Sequence, residues 1–186
     1  YELARIMGQP ETEAQFPGLG LALVQAFVDS TGDDPRVRRY LALALGRLES
    51  PPAETVAALS AALDDPDSET VISVIWALAL LGEETVVPHI VGMFGAQDPG
   101  VRKMAVYALG VLPDDGSHTT LRAALDDPVP DVQWNAAVSL ARHGDGRGAT
   151  VLRRMLDRDY VTRQVTPSET LADPASDVMV SGLQAV

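Results

Sequence analysis

Three histidines, His89, His118 and His143, are the side chains of this 186-residue chain best suited to hold a metal or move a proton near neutral pH. A metal centre needs two or three of them converging with carboxylates at ligand distance. Their positions argue against convergence: His118 falls at an inward position of one short helix, His89 lies beside the equivalent position of another, and His143 is in a turn. The three are therefore expected to be structural or surface residues, with no metal and no cofactor. The acidic pairs Asp33-Asp34, Asp64-Asp65, Asp114-Asp115 and Asp126-Asp127 suggest calcium, but they lack the alternating oxygen ligands of a binding loop and read as solvated helix caps. There is no Cys, which excludes thiolate chemistry and disulfides and leaves reducing and oxidising compartments open. No serine nucleophile motif occurs, and no glycine-rich loop stands between strand and helix to hold phosphate. Nothing here composes a catalytic constellation.

The charge balance narrows the partner class. Asp and Glu number 26 against 14 Lys and Arg, a formal charge of −12, and the calculated pI is about 4.5. A field of that sign repels phosphate backbones, and no basic stripe relieves it, so nucleic acid is excluded as an expected partner. With 46% of residues in the hydrophobic set, the chain can bury the core of a single domain. It opens on Tyr1 rather than Met and stops inside an expected helix at Val186, so it is expected to be a piece of a longer protein. A cytoplasmic location is favoured, with no residue that fixes it.

These residues hang on a repeat. The central run Val71 to Gly82, VISVIWALALLG, is free of charge around its whole circumference, so it must be covered on both sides. At 12 residues it is too short to span a bilayer, which takes roughly 20. Equivalent runs start at Val37, Thr70, Val101 and Val132, spaced by 33, 31 and 31 residues. Leu59, Ile90, Leu121 and Leu152 recur every 31 residues, as do Leu63, Phe94, Leu125 and Leu156. Apolar pairs at i and i+4 with this period mean two helices per unit, a first (A) and a second (B), stacked on the next pair. Asp34-Pro35, Asp65-Pro66, Asp98-Pro99 and Asp127-Pro128 each offer an N-cap acid followed by a proline at the first helical position. Ahead of the array, Tyr1–Met7 reads as a helix end, Gly8–Gly18 as a loop and Leu19–Asp29 as an apolar helix.

The units resemble HEAT-like repeats of the short bacterial type found in phycobilisome-lyase-like proteins. Asp98, Pro99, Val101, Arg102, Ala105, Ala108, Leu109 and Gly110 carry the pattern closely; Val37, Arg38, Ala42, Ala44, Leu45 and Gly46 carry it nearly as well. The resemblance implies an all-α, right-handed α-solenoid (an α-α superhelix) with three sections. These are N-terminal helices and a weak first repeat over 1–32, four repeats over 33–159, and a loop with the start of a truncated repeat over 160–186. In the last section Val161–Ala172 reads as a loop and Asp177–Val186 as the first helix of another unit, with more chain or another protein expected beyond. The resemblance also implies an Arg–Asp ladder between units, available to Arg38 and Arg102 but broken where Val71 and Gln133 take the Arg position. Gly46 and Gly110, with Ala79 and Ala141 in equivalent places, are expected to let the two helices of one unit approach. The deoxyhypusine hydroxylases of this architecture carry His-Glu motifs, whereas here the histidines precede Ile90, Thr119 and Gly144, so that activity is not expected. DNA glycosylases of similar architecture need a basic groove, which the acidic balance opposes.

One feature stands above this background. Leu43, Trp76, Tyr107 and Val138 share a position between alanines that the family pattern usually keeps polar, on the convex A-helix side. With Ile72, Trp76 and Leu80 at i, i+4 and i+8, flanked by Tyr107 and Trp134, the second unit would present a continuous apolar stripe. The expected function is a non-enzymatic scaffold or accessory subunit that docks another protein through Leu43, Ile72, Trp76, Leu80, Tyr107 and Trp134. The smoother B-helix face, lined by Ala58, Ala61, Ala62, His89, Met93, Thr120, Arg147 and Arg154, would hold a second ligand. The alternative is a cofactor-handling, bilin-lyase-like accessory enzyme using that B face, which would need polar groups converging in a pocket. Self-association through the open ends of the solenoid is a third possibility.

Overall fold

The computed structural model describes residues 16–32, 34–112, 116–165 and 174–185, so the expectations for Tyr1–Met7 and most of Gly8–Gly18 lie outside the described residues. The regular secondary structure of those residues is entirely helical. Helix α1 (Leu19–Asp29) leads into four helix pairs. The A helices are α2 (Pro35–Leu45), α4 (Ser68–Leu81), α6 (Pro99–Leu109) and α8 (Pro130–Arg142). The shorter B helices are α3 (Thr55–Ala61), α5 (Val87–Met93), α7 (His118–Ala123) and α9 (Ala149–Met155). Helices α10 (Arg158–Gln164) and α11 (Pro174–Gln184) follow. Each A helix stacks on the next, and the B helices α3, α5 and α7 pack chiefly against the A helix that follows them, whereas α9 packs against its own α8, giving a two-layered α-solenoid.

The 31-residue register sets the core. Leu59, Ile90 and Leu121 are fully buried and Leu152 nearly so, each one turned from a B helix toward the A layer. From α4, Val71, Val74, Ile75, Ala77, Leu78 and Ala79 are buried, which answers the need for cover on both sides of the uncharged run. Of the other residues in the run, Ile72, Ser73, Trp76 and Leu81 are half-buried, and Leu80 is 41% exposed.

Small residues bring successive A helices into backbone contact. A Cβ on Gly46, at the end of α2, would lie 2.6 Å from Cα of Ala77 in α4. A Cβ on Gly110, just past α6, would fall on the Ser139 side chain of α8, whose hydroxyl donates to the Val106 carbonyl at 3.2 Å. This corrects the sequence expectation: the glycines serve contact between neighbouring units, not between the two helices of one unit. The period alone cannot tell these cases apart, because both partners recur with it.

The turns are of two kinds. Asp34 and Asp98 cap α2 and α6 as expected, each accepting backbone N–H bonds with proline in the first helical turn. Asp65 and Asp127 do not cap. They accept the N–H of Asp67 and Val129 in local turns, and the helices begin after them, with Asp67 capping α4 and Val129 preceding α8. Beyond the fourth pair, α10 overturns part of the loop expected over Val161–Ala172. Asp157 accepts the Tyr160 N–H to cap it, and Val161 is fully buried against the α8–α9 pair. Residues 166–172 of that expected loop lie outside the described residues. Helix α11 begins at Pro174 and rests Gly182 on Met155 of α9 and on Leu156 just past it.

Glycine at the A-layer contacts is therefore a packing requirement. Gly46→Ala and Gly110→Ala should each destabilise by about 1–3 kcal/mol, the usual cost of overpacking. Gly92→Ala, in α5 with open space around its Cβ, should stabilise by about 0.5–1 kcal/mol. Urea unfolding of the three variants checks the contrast, and equal effects at Gly46 and Gly92 would refute it.

Candidate functional site on the A layer

The helices that carry the aromatic stripe are registered by ion pairs at their N-terminal ends. Arg38 Nε of α2 lies 2.7 Å from Asp65 Oδ2 in ion-pair contact, out of line for a hydrogen bond, and Arg102 Nε of α6 donates to Asp127 Oδ2 at 2.8 Å. The next residue repeats the pattern outside: Arg39 makes a bidentate pair with Asp67, and Lys103 meets Asp131 at 3.3 Å. Asp65 and Asp127 are thus the acidic partners of the expected ladder, standing ahead of the starts of α4 and α8. Where Val71 and Gln133 replace Arg, the ladder is interrupted. Gln133 instead donates to the Asp127 carbonyl of its own turn, and among the described residues no ion pair joins α4 to α6. That seam is held by the Ser68 hydroxyl on the Asp98 carboxylate and by Ile72, whose Cδ1 sits over Gly100.

The stripe sits over this seam. Trp76 of α4 and Tyr107 of α6 touch with ring centroids 5.7 Å apart at 44°, and the Arg142 guanidinium from α8 lies 5.8 Å from the Tyr107 ring centre. Both rings are half-buried, as are Leu43 and Ile72, which pack against the core, while Leu80 is open to solvent. Trp134 departs from the expected stripe. It is only 4% exposed and lies in a second core cluster with Ala137, Val151, Leu152, Met155 and Val161. Its place in the unit matches Ile72 and Arg39 rather than Trp76, and α9 and α10 cover it. Arg142 is the member that sequence reasoning missed, because its cation–π contact crosses 35 residues and leaves no local signature.

The histidines also differ from expectation. His118 at the start of α7 and His143 at the end of α8 come together across two units, ring centroids 5.2 Å apart, while His89 stays apart and exposed on α5. Among the described residues no group of three or more His, Asp or Glu converges as a metal site. On the B side, Ala62 of the expected ligand face is buried. Glu83, Thr85 and His89 border an open groove against Pro51, Pro52 and α3. No helix among the described residues is long and apolar enough to cross a membrane.

A family model for HEAT repeats matches residues 21–109 and 91–166. The chain belongs to the HEAT-repeat family. No curated protein matches it. Among solved structures, an engineered protein from the Northeast Structural Genomics Consortium is similar to this HEAT-repeat chain with a TM-score of 0.54 at 21% identity. The match covers 99% of this chain and 87% of that one. A designed armadillo repeat protein in complex with the peptide (KR)4 gives 0.53 at 19% identity, over 99% and 90% of the two chains. A second engineered protein from the same consortium gives 0.53 at 22%, over 98% and 51%. At these identities the likeness shows the α-solenoid fold alone.

The ladder makes this HEAT-repeat fold acid-sensitive. Burial pushes the Asp127 carboxyl up, but the Arg102 guanidinium and the Val129 N–H outweigh it and leave the pKa below the ordinary carboxylate value. Asp67 is held low by the Thr70 hydroxyl, with Arg39 adding to it. A depressed folded-state pKa contributes stability that is present above the unfolded value of about 3.9 and lost as pH falls through the folded one. Stability should therefore be flat near neutrality and drop below about pH 4. Arg102→Met, which strands the buried Asp127, should cost about 3–5 kcal/mol and weaken the acid dependence. Lys103→Met, at the exposed pair, should cost under about 1 kcal/mol. Chemical unfolding across pH checks both, and equal losses would contradict the reading.

Proposed function

We propose that this HEAT-repeat chain is a non-enzymatic docking subunit that holds another protein through the outer face of its A layer, centred on Trp76 and Tyr107. The observation that carries the reading is the pairing of two half-exposed aromatic rings from successive units, with solvent-open Leu80 on the same helix face. Aromatic side chains concentrate binding energy when a partner completes their burial. A guanidinium on the Tyr107 ring adds a polar edge to the patch. The solenoid supports the reading in a second way, since a designed armadillo repeat protein of similar fold is in complex with the peptide (KR)4. Leu43 and Ile72 contribute by packing under the stripe, and Trp134 by fixing α8 beside Tyr107. The alternative of a lyase-like enzyme on the B side draws no support from the open groove beside His89.

The test is capture of partners by the full-length protein from its source cells, wild type beside the Trp76→Glu, Tyr107→Glu double variant, read by mass spectrometry. A stoichiometric partner captured by wild type and lost from the variant, with unchanged circular dichroism, is the expected result. Undiminished capture, or a variant that does not fold, would contradict the proposal.

A further inference from the structure

The His118 and His143 pair poses a hydrogen-bonding problem. His143 Nε2 lies 3.2 Å from the Leu109 carbonyl oxygen at the end of α6. A carbonyl only accepts, so Nε2 carries the proton and donates, and in the neutral ring the lone pair is on Nδ1. That arrangement is the usual one for a metal-binding imidazole, in which a bond from the far nitrogen to a backbone carbonyl sets tautomer and ring orientation. The facing residue supplies a second nitrogen. His118 Nε2 is buried without any hydrogen-bond partner, a costly condition for a polar atom unless something else engages it. Two nitrogen ligands about 2.0–2.1 Å from a tetrahedral ion are roughly 3.4 Å apart. The two ring centroids lie 5.2 Å apart, tilted by 59°.

We propose that His118 Nε2 and His143 Nδ1 form a two-histidine site for a borderline divalent transition ion, with Zn2+ as the reference case. Imidazole ligands suit Zn2+, Ni2+ and Cu2+ rather than Ca2+ or Mg2+. The Asp145 carboxylate, two residues beyond His143, is engaged by Arg122 at 2.7 Å and by the Arg147 N–H, so it is not the third ligand. With only two protein ligands, the site has a modest affinity. Its place in the fold gives it a consequence. His118 opens the B helix of the third unit and His143 closes the A helix of the fourth, so the ion staples the two units where Leu109 already receives the His143 bond. An ion that binds only the folded form stabilises it by mass action. This inference stands apart from the docking face, which shares none of these residues.

The experiment titrates the chain with Zn2+ while following the imidazole resonances of its three histidines by nuclear magnetic resonance, with calorimetry for stoichiometry. The expected result is one equivalent bound, saturating below about 0.1 mM, with shifts at His118 and His143 and none at His89. His118→Gln should weaken binding at least about tenfold, and His89→Gln should leave it unchanged. Absence of saturable binding, binding that shifts His89 equally, or binding that survives His118→Gln would overturn the proposal. Because the resonances are read on the wild-type chain, the test holds even if a histidine variant folds poorly.

Discussion

The close approach of neighbouring A helices is the constraint on which the rest of this structure depends. Gly46 sits against the backbone of Ala77, and Gly110 against the Ser139 side chain, so nothing larger than a serine separates those helices. Contact at that distance permits only small residues along one edge of each A helix, which explains the runs of alanine at Ala42, Ala44, Ala77, Ala105, Ala108, Ala136 and Ala137, all buried. It also fixes what lies on the opposite edge. Once the small residues face the neighbouring helix, and the leucines and valines face the B layer, the side chain at the remaining position must project outward. In the second and third units that position holds Trp76 and Tyr107.

The contacts between units alternate in kind. The first pair of A helices is clamped by Arg38 to Asp65 and Arg39 to Asp67, and the last by Arg102 to Asp127 and Lys103 to Asp131. Between them, α4 and α6 meet through Ile72 over Gly100 and Trp76 beside Tyr107, with no ion pair among the described residues. Ion pairs of good geometry specify register, whereas apolar contacts tolerate small sliding. The aromatic pair therefore lies over the seam that is least specified by charge. A partner seated on both rings would bury them and hold the two clamped halves together, so docking and stiffening would arise from the same contact.

Much of the fold was legible because its signals are local or strictly periodic. The 31-residue register of Leu59, Ile90, Leu121 and Leu152 announced the helix pairs, and Asp34-Pro35 and Asp98-Pro99 announced two helix starts, since capping involves neighbours in sequence. Asp65-Pro66 and Asp127-Pro128 look identical on paper. Their role is decided by an arginine some 25 residues earlier, so the local pattern misleads. Trp134 was misplaced for a related reason. Its position is outward in the second unit, but what covers it in the fourth is α9 and α10, and α10 itself lies in a stretch whose Thr and Arg content hides one buried valine. The meeting of His118 and His143 was illegible because it depends on how the third B helix abuts the fourth A helix, and no repeat spacing encodes that.

The A layer is the rigid element of this solenoid, with the short B helices attached to it. Hydrogen exchange read by mass spectrometry tests this most directly, because protection reports how cooperatively each segment opens. Peptides from α4, α6 and α8 are expected to exchange slowest and together, while those from α3, α5 and α7 exchange measurably faster. B helices as protected as the A layer, or α4 opening before its neighbours, would contradict it.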